Sequence, residues 1–189
     1  MFKKIKIILS IVFSIISMFN LISLIYYKVE QKKEEKAVEE FFVTSYSKEK
    51  KDIVKNSDNK NEYIAVLEIP SISLKRGLVN PKSKYNNVDY NIEILKNSLD
   101  QDTIFLAAHS GNEHVSFFKN LYKVNISDEV NLYRSGIKYK YTVDEIFEQK
   151  KDGSIVLANS KEKRLILTTC SKNSGKQLIV ICKLLEEVE

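Results

Sequence analysis

The feature that most constrains the fold is a succession of short apolar runs that begins at Tyr63. Several runs alternate apolar and polar residues, as half-buried antiparallel strands do. Many short strands with brief connections favour a closed barrel or sandwich, which also leaves few strand edges exposed. The runs are YIAVLEI, LKRGLV, DTIFLAAH, EVNLYR, KYKYTVDEIFEQ, SIVLA, RLILTTC and QLIVICKL.

Two short helices are predicted between these strands, one in VDYNIEILKNSL and one around SFFKNLYK. Residues 63–189 are therefore expected to form one mostly-β domain. Residues 28–62 come before it as a juxtamembrane helix and linker. The first part, VEQKKEEKAVEEFF, is charged and favours a helix, whereas SYSKEKKDIVKNSDNKNE is polar and typical of a flexible connection.

Residues 7–27 carry no charged side chain. As a helix, this run is about 30 Å long, which matches the hydrocarbon core of a bilayer. It is longer than the apolar part of a signal peptide, and no small-x-small cleavage site follows it. The lysines in residues 1–6 favour a cytoplasmic N-terminus. We therefore expect a single-pass signal anchor in the cell membrane, with the downstream domain outside the cytoplasm.

The net charge of +5 does not indicate nucleic-acid binding. Three of the 30 basic residues, Lys3, Lys4 and Lys6, precede the apolar run, which leaves 27 against 25 acidic residues. No basic stripe remains that could follow a phosphate backbone.

Two reactive side chains stand where apolar runs end. Cys170 ends the apolar run RLILTTC before the polar SKNSGK. In FLAAHSGN, His109 stands in the same way at the end of an apolar run, before small and polar residues. Two such strand ends side by side would place an imidazole next to a thiol, an arrangement that activates cysteine as a nucleophile. The alternative is a capping histidine and an unrelated cysteine, and spacing alone does not decide between them.

The second cysteine and the second histidine have no comparable setting. In an antiparallel hairpin Cys170 would lie opposite Gln177, and Cys182 would be about 16 Å farther along, beyond disulfide reach. Both thiols are therefore expected to be free, with Cys182 in the core. His114 is interpreted as a loop or helix-start residue, and no pair has the close spacing of zinc ligands, so no metal site is expected.

LTTC at the tip of a late strand, with AAHSGN before it, resembles the sortases, the cell-surface cysteine transpeptidases of Gram-positive bacteria. EYIAVLEIPSISL resembles the opening strand of that family, and FFKNLYKVNISDEVNLY resembles the stretch after the histidine. The resemblance implies a closed eight-stranded β-barrel with a groove for an LPxTG-like peptide. It also implies that no cofactor is needed. The short segment 145–160 and the lack of an Asp-Pro-aromatic lid suggest a compact class A, D or E sortase.

Residue by residue, the resemblance makes Cys170 the nucleophile that forms an acyl-thioester. His109 would give a proton to the leaving amine and take one from the incoming amine, while Thr168 and Thr169 would shape the strand end. The implied partners are surface proteins that carry a sorting signal and the amine of a peptidoglycan precursor or a pilin.

One departure from the family concerns its arginine on the strand after the cysteine. The chain has three arginines, Arg76, Arg134 and Arg164, and none follows Cys170. Lys176 or Gln177 falls at that position, and the two point to opposite faces of a strand. Lysine supplies a point charge without the planar fork of arginine. Glutamine supplies a neutral donor, and Arg76 is a further option.

Because of this departure, alternatives stay open. The domain could be a catalytically weak sortase-like barrel that binds peptides, or a structural surface domain. It could also be a hydrolytic cysteine peptidase, since water can replace the amine.

Overall fold

The computed structural model describes residues 2–47, 63–96, 99, 102–112, 114–158, 160 and 162–188. A single helix, α1 (Phe2–Ser47), comes first. The chain forms two compact units, residues 1–37 and 38–189. The predicted helical stretch 29–42 lies within α1, and most of the predicted linker lies outside the described residues.

Along α1 the large apolar side chains from Leu9 to Ile25 are exposed. A search of the described residues found no helix of sufficient length and apolar character to cross a membrane. The transmembrane anchor therefore stays a prediction.

The second unit contains one eight-stranded sheet in the order β2-β1-β5-β6-β8-β7-β4-β3. All neighbouring strands are antiparallel except β4 and β7, which run parallel. Two 3-10 helices, Pro70–Ile72 and Leu121–Lys123, lie in connections. The strands are β1 (Tyr63–Ile69), β2 (Leu74–Val79), β3 (Glu93–Leu95), β4 (Thr103–Ala107), β5 (Glu129–Arg134), β6 (Ile137–Lys150), β7 (Arg164–Cys170) and β8 (Lys176–Val188).

The mostly-β prediction is confirmed, but the barrel is nearly closed rather than closed, because β2 and β3 are the two end strands of the sheet. The free edge of β3 has no neighbouring strand in the sheet that the structure describes, but a side chain forms hydrogen bonds with its backbone. The Asn86 amide accepts from Ile94 N at 2.7 Å and donates to Ile94 O at 3.0 Å. One side chain thus takes the place of a neighbouring strand at this position.

Two local predictions are wrong. VDYNIEILKNSL was expected to be helical, yet its centre is strand β3. SIVLA was expected to be a strand, yet residues 154–158 are irregular. Its alternation has another cause, since Ile155 and Leu157 pack on a small apolar cluster formed by Phe105, Ile166, Ile179 and Ile181. The short helix around SFFKNLYK is found as the second 3-10 helix.

The core of the unit lies between the strands and is completed by Phe118 and Leu121 from the connection after β4. In β7, Leu165 and Leu167 belong to this core, whereas Ile166 belongs to the second cluster, on which Ile155 and Leu157 pack. Strand β7 is therefore buried on both faces, which explains its continuous apolar run. The face that carries the second cluster is called the outer face below.

Candidate active site

His109 and Cys170 lie at the same level on the outer face. In the parallel register Ala107 pairs with Thr168, so that His109 and Cys170 are each two residues farther along. Alternation from Phe105 in β4 and from Ile166 in β7 puts both side chains on the face of the second cluster. The structure thus brings the two sequence-predicted strand ends together.

Side-chain hydrogen bonds fasten these two ends to each other. Thr169 Oγ1 donates to Ala108 O at 2.6 Å, and Ser110 Oγ donates to Cys170 O at 2.7 Å. Both threonines before the cysteine are buried. The segment that carries the imidazole and the end of β7 that carries the thiol are therefore linked by short polar contacts as well as by the sheet.

Asp89 contacts the imidazole. Its Oδ1 lies 3.2 Å from His109 Nε2, and both side chains are partly exposed. Because an ionised carboxylate only accepts hydrogen bonds, this contact places a proton on Nε2 and leaves Nδ1 for other chemistry. No motif pointed to Asp89, which lies 20 residues before the histidine in a segment interpreted as a helix.

Lys151 contacts the thiol. Its Nζ lies 3.1 Å from Cys170 Sγ, and its backbone N–H donates to Gly175 O at 2.9 Å. The first contact places a positive charge beside the thiol, and the second ties the end of β6 to the turn between β7 and β8. Sequence reasoning missed this residue because it is one of 27 lysines and carries no motif.

Of the two residues proposed at the arginine position, Gln177 pairs with Cys170 in the β7–β8 ladder. Directly opposed residues of antiparallel strands share a face, so Gln177 lies on the outer face beside the cysteine. Its Nε2 donates to Ser154 O at 2.6 Å and approaches Lys150 O at 3.5 Å. Lys176 is one step away, and its Nζ lies 3.6 Å from Glu148 Oε2. A role for either residue in the reaction stays a prediction.

Glu148 holds the turn that follows Cys170. Its carboxylate accepts from Ser171 Oγ and, at 2.8 Å and 3.0 Å, from Asn173 Nδ2. These hydrogen bonds, that of Ser171 foremost, together with the nearby Lys176 ammonium, lower the pKa of the Glu148 carboxyl. The turn is thus held by a carboxylate that stays ionised to lower pH than usual.

The arginines are engaged elsewhere. Arg134 donates to Leu99 O at 2.9 Å and Arg164 to Ala158 O at 3.1 Å. The Arg76 guanidinium lies over the Phe117 ring, 4.4 Å from its centre. The use of Arg76 in the site also stays a prediction.

The second cysteine, Cys182, and the second histidine, His114, take no part in the geometry described above. Cys170 and Cys182 are both free thiols, as the hairpin spacing predicted. Cys182 is fully buried, and burial raises the pKa of its thiol. His114 lies in a turn. Within the part of the chain that the structure describes, no three His, Cys, Asp or Glu side chains are grouped as metal ligands would be.

Comparison with known proteins identifies the fold. The family profile of the Sortase domain matches residues 67–185. No curated protein gives a significant match in sequence. A Clostridium perfringens sortase D5 transpeptidase is 25% identical with a TM-score of 0.64, and the alignment covers 81% of this chain and 98% of that one.

Two further structures show the same fold at lower identity. Sortase A of Listeria monocytogenes is 20% identical with a TM-score of 0.57, over 66% of this chain and 88% of that one. Sortase E of Streptomyces avermitilis is also 20% identical with a TM-score of 0.57, over 67% of this chain and 90% of that one. With the profile matched over more than half of its length, the chain belongs to the sortase family.

Proposed function

We propose that the protein cleaves an LPxTG-like sorting signal after its threonine and joins the new carboxyl end to a cell-wall or pilin amine. Cys170 is the nucleophile and His109 the acid and base. The observation that carries this proposal is the parallel pairing of β4 and β7, whose register ends two residues before His109 and Cys170 and so supports their proximity.

In the first half-reaction the Cys170 thiolate attacks the carbonyl carbon of the scissile threonine. A C–S bond forms, and the carbonyl electrons move onto oxygen. When this intermediate collapses, the C–N bond breaks and the amine leaves with a proton from His109. The product is an acyl-thioester on Cys170, and no cofactor takes part.

In the second half-reaction an amine attacks the thioester carbonyl and gives its proton to His109. The C–S bond breaks and the new amide is released, which restores the thiolate. Water in place of the amine would give hydrolysis, so the nature of the acceptor decides between a transpeptidase and a peptidase.

Asp89 supports the role assigned to His109. Its carboxylate contacts Nε2 at 3.2 Å, which orients the ring. The leaving amine would then receive its proton from Nδ1, the ring nitrogen that the carboxylate does not contact.

The place of action follows from the N-terminal segment. We propose that residues 7–27 anchor the protein in the cell membrane, with residues 28–189 outside the cytoplasm. The run of exposed apolar side chains from Leu9 to Ile25 supports this, because water would solvate that surface poorly.

The subclass proposed is a compact one. No helix lies in the described residues between β6 and β7, where a long helical insertion is expected in class B members. The similarity to a D5 transpeptidase, at 25% identity and a TM-score of 0.64, supports class D among the compact classes.

The test uses the full-length protein in detergent micelles with a panel of LPxTG-like peptides and amine acceptors. Intact-mass spectrometry should show a peptide-sized adduct on the wild type and none on Cys170→Ala. His109→Ala should slow adduct formation by about two to four orders of magnitude. His114→Ala, which removes the other histidine, is the matched control and should react at the wild-type rate.

A folded wild type that forms no adduct with any peptide would contradict the proposal. Peptide binding without an adduct would instead identify a catalytically weak binding domain. Cleavage that yields only the free acid, even with amines in excess, would identify a hydrolytic peptidase.

A further inference from the structure

We propose that Lys151 supplies the positive charge of the active site and that the segment after β6 delivers it, in place of a cation on β8. This inference rests on the proposed function, since it assigns a role in the attack of Cys170 on a peptide carbonyl.

Lys151 is in direct contact with the thiol of Cys170. Lys151 Nζ is 3.1 Å from Cys170 Sγ, within hydrogen-bonding distance for sulfur. A thiolate accepts such a bond more strongly than a thiol does, and the ammonium lies where negative charge on the sulfur would be. Among the described residues no carboxylate forms a salt bridge with Lys151, so its charge is directed at the sulfur.

The position opposite the cysteine in β8 is occupied by a neutral residue that holds the loop after β6. Gln177 pairs with Cys170, yet its amide donates to Ser154 O at 2.6 Å, inside the segment after β6. Gln149 Nε2 donates to the same oxygen, also at 2.6 Å. These two amides hold the segment beside the cysteine, so Gln177 acts as a positioning residue for the loop that carries Lys151.

Hydrogen bonds hold the backbone around Lys151 in place. Its N–H donates to Gly175 O at 2.9 Å, and Gly175 has a φ of +73°, which glycine adopts without strain. Asp152 then accepts from the backbone N–H and the hydroxyl of Ser154, at 3.1 Å and 2.7 Å. The ammonium therefore reaches the thiol from a loop that hydrogen bonds hold on both sides.

These contacts assign Lys151 two successive tasks. Before attack it stabilises the thiolate. When the C–S bond forms, the charge moves from sulfur to the former carbonyl oxygen, which is only two bonds from Sγ, and one of the three N–H donors of Lys151 can follow it. Preorganised charge of this kind is usually the largest single contribution to acyl-transfer catalysis.

The test compares the modification of Cys170 by anionic and cationic methanethiosulfonates of matched size, on the full-length protein in detergent micelles. The ratio of the two rates reports the local charge, whereas a general change in exposure alters both rates alike. Lys151→Gln should lower the anionic-to-cationic ratio about fivefold or more, because the reagent's charge comes within a few ångströms of the removed ammonium.

Lys150→Gln is the matched control, since it removes the same charge from the neighbouring residue, and the ratio should change less than about twofold. Lys151→Arg should keep the ratio. In transpeptidation Lys151→Gln should lose about two orders of magnitude in kcat/KM, and Lys151→Arg should lose less.

An unchanged ratio in Lys151→Gln would overturn the inference, as would an equal loss of ratio in Lys150→Gln. Thioester formation by Lys151→Gln at the wild-type rate would overturn it while leaving the proposed function intact. If the wild type forms no thioester while Lys151→Gln still lowers the anionic-to-cationic ratio, the proposed function would be refuted. The inference that Lys151 places a positive charge at the thiol would stand.

Discussion

Asp89→Asn should lower the turnover of the enzyme without changing its stability. The carboxylate lies 3.2 Å from His109 Nε2 and is the only acid that the described contacts place on that ring. Asparagine keeps the size of the side chain and one oxygen, but it removes the charge. The ring therefore loses the partner that fixes its proton and its orientation, while the sheet beneath it is untouched.

The size of the effect follows from the exposure of the pair. Two unit charges at this distance attract by about 1 kcal/mol in water, and salt reduces this further. The side chains are 39% and 71% exposed, so a value typical of the interior does not apply. We expect kcat to fall about threefold to fivefold with KM nearly unchanged, and the free energy of unfolding to change by less than about 1 kcal/mol.

Steady-state transpeptidation by the full-length protein in micelles measures both constants, and thermal unfolding measures stability. Glu93→Gln is the control, because it removes the same charge from β3, four residues along the chain. A wild-type kcat in Asp89→Asn would refute the reasoning, and so would an equal loss in Glu93→Gln. A rise in KM alone would show that Asp89 binds substrate instead of orienting the histidine.

Three further predictions concern the thiols, the turn and the core. A neutral alkylating reagent should modify one cysteine of the native protein rapidly, and peptide mapping should identify it as Cys170, since Cys182 is fully buried. Glu148→Gln should lower the unfolding temperature at neutral pH. That difference should shrink as the pH falls through the lowered pKa of the Glu148 carboxyl, because protonation removes the same contacts with Ser171. Leu106→Ala should cost about 2–5 kcal/mol in chemical unfolding, because the side chain is fully buried and leaves a cavity.

Much of the sheet follows from local pattern, and the errors have identifiable causes. Strands β1, β2, β5 and β7 coincide with the apolar runs, because burial of one or both faces imposes that pattern on the sequence. Strand β3 was missed because it is only three residues long and Asn86 supplies part of its hydrogen bonding. Residues 154–158 were mistaken for a strand because their alternation reflects packing on the outer face and not pairing.

The site divides in the same way. His109 and Cys170 could be found because each ends an apolar run, and strand pairing converts that position into proximity. Lys176 and Gln177 are neighbours in sequence, and only the register of β7 against β8 shows that Gln177 is the residue opposite Cys170. Asp89 and Lys151 could not be found, because each reaches the site from a loop whose course depends on contacts distant in sequence.

This division has a consequence for how stability and activity are coupled. The relative position of His109 and Cys170 depends on β4 and β7, whose apolar side chains are in the core. Asp89 and Lys151 depend on exposed hydrogen bonds, which can open locally while the barrel stays folded. Substitutions at these two residues should therefore reduce activity at nearly constant stability.

A core substitution such as Leu106→Ala should reduce stability while the remaining folded molecules keep their turnover. If instead both kinds of variant lost activity in proportion to stability, the charges at the site would be set by the core, and the loops would not act as independent parts of the catalytic apparatus.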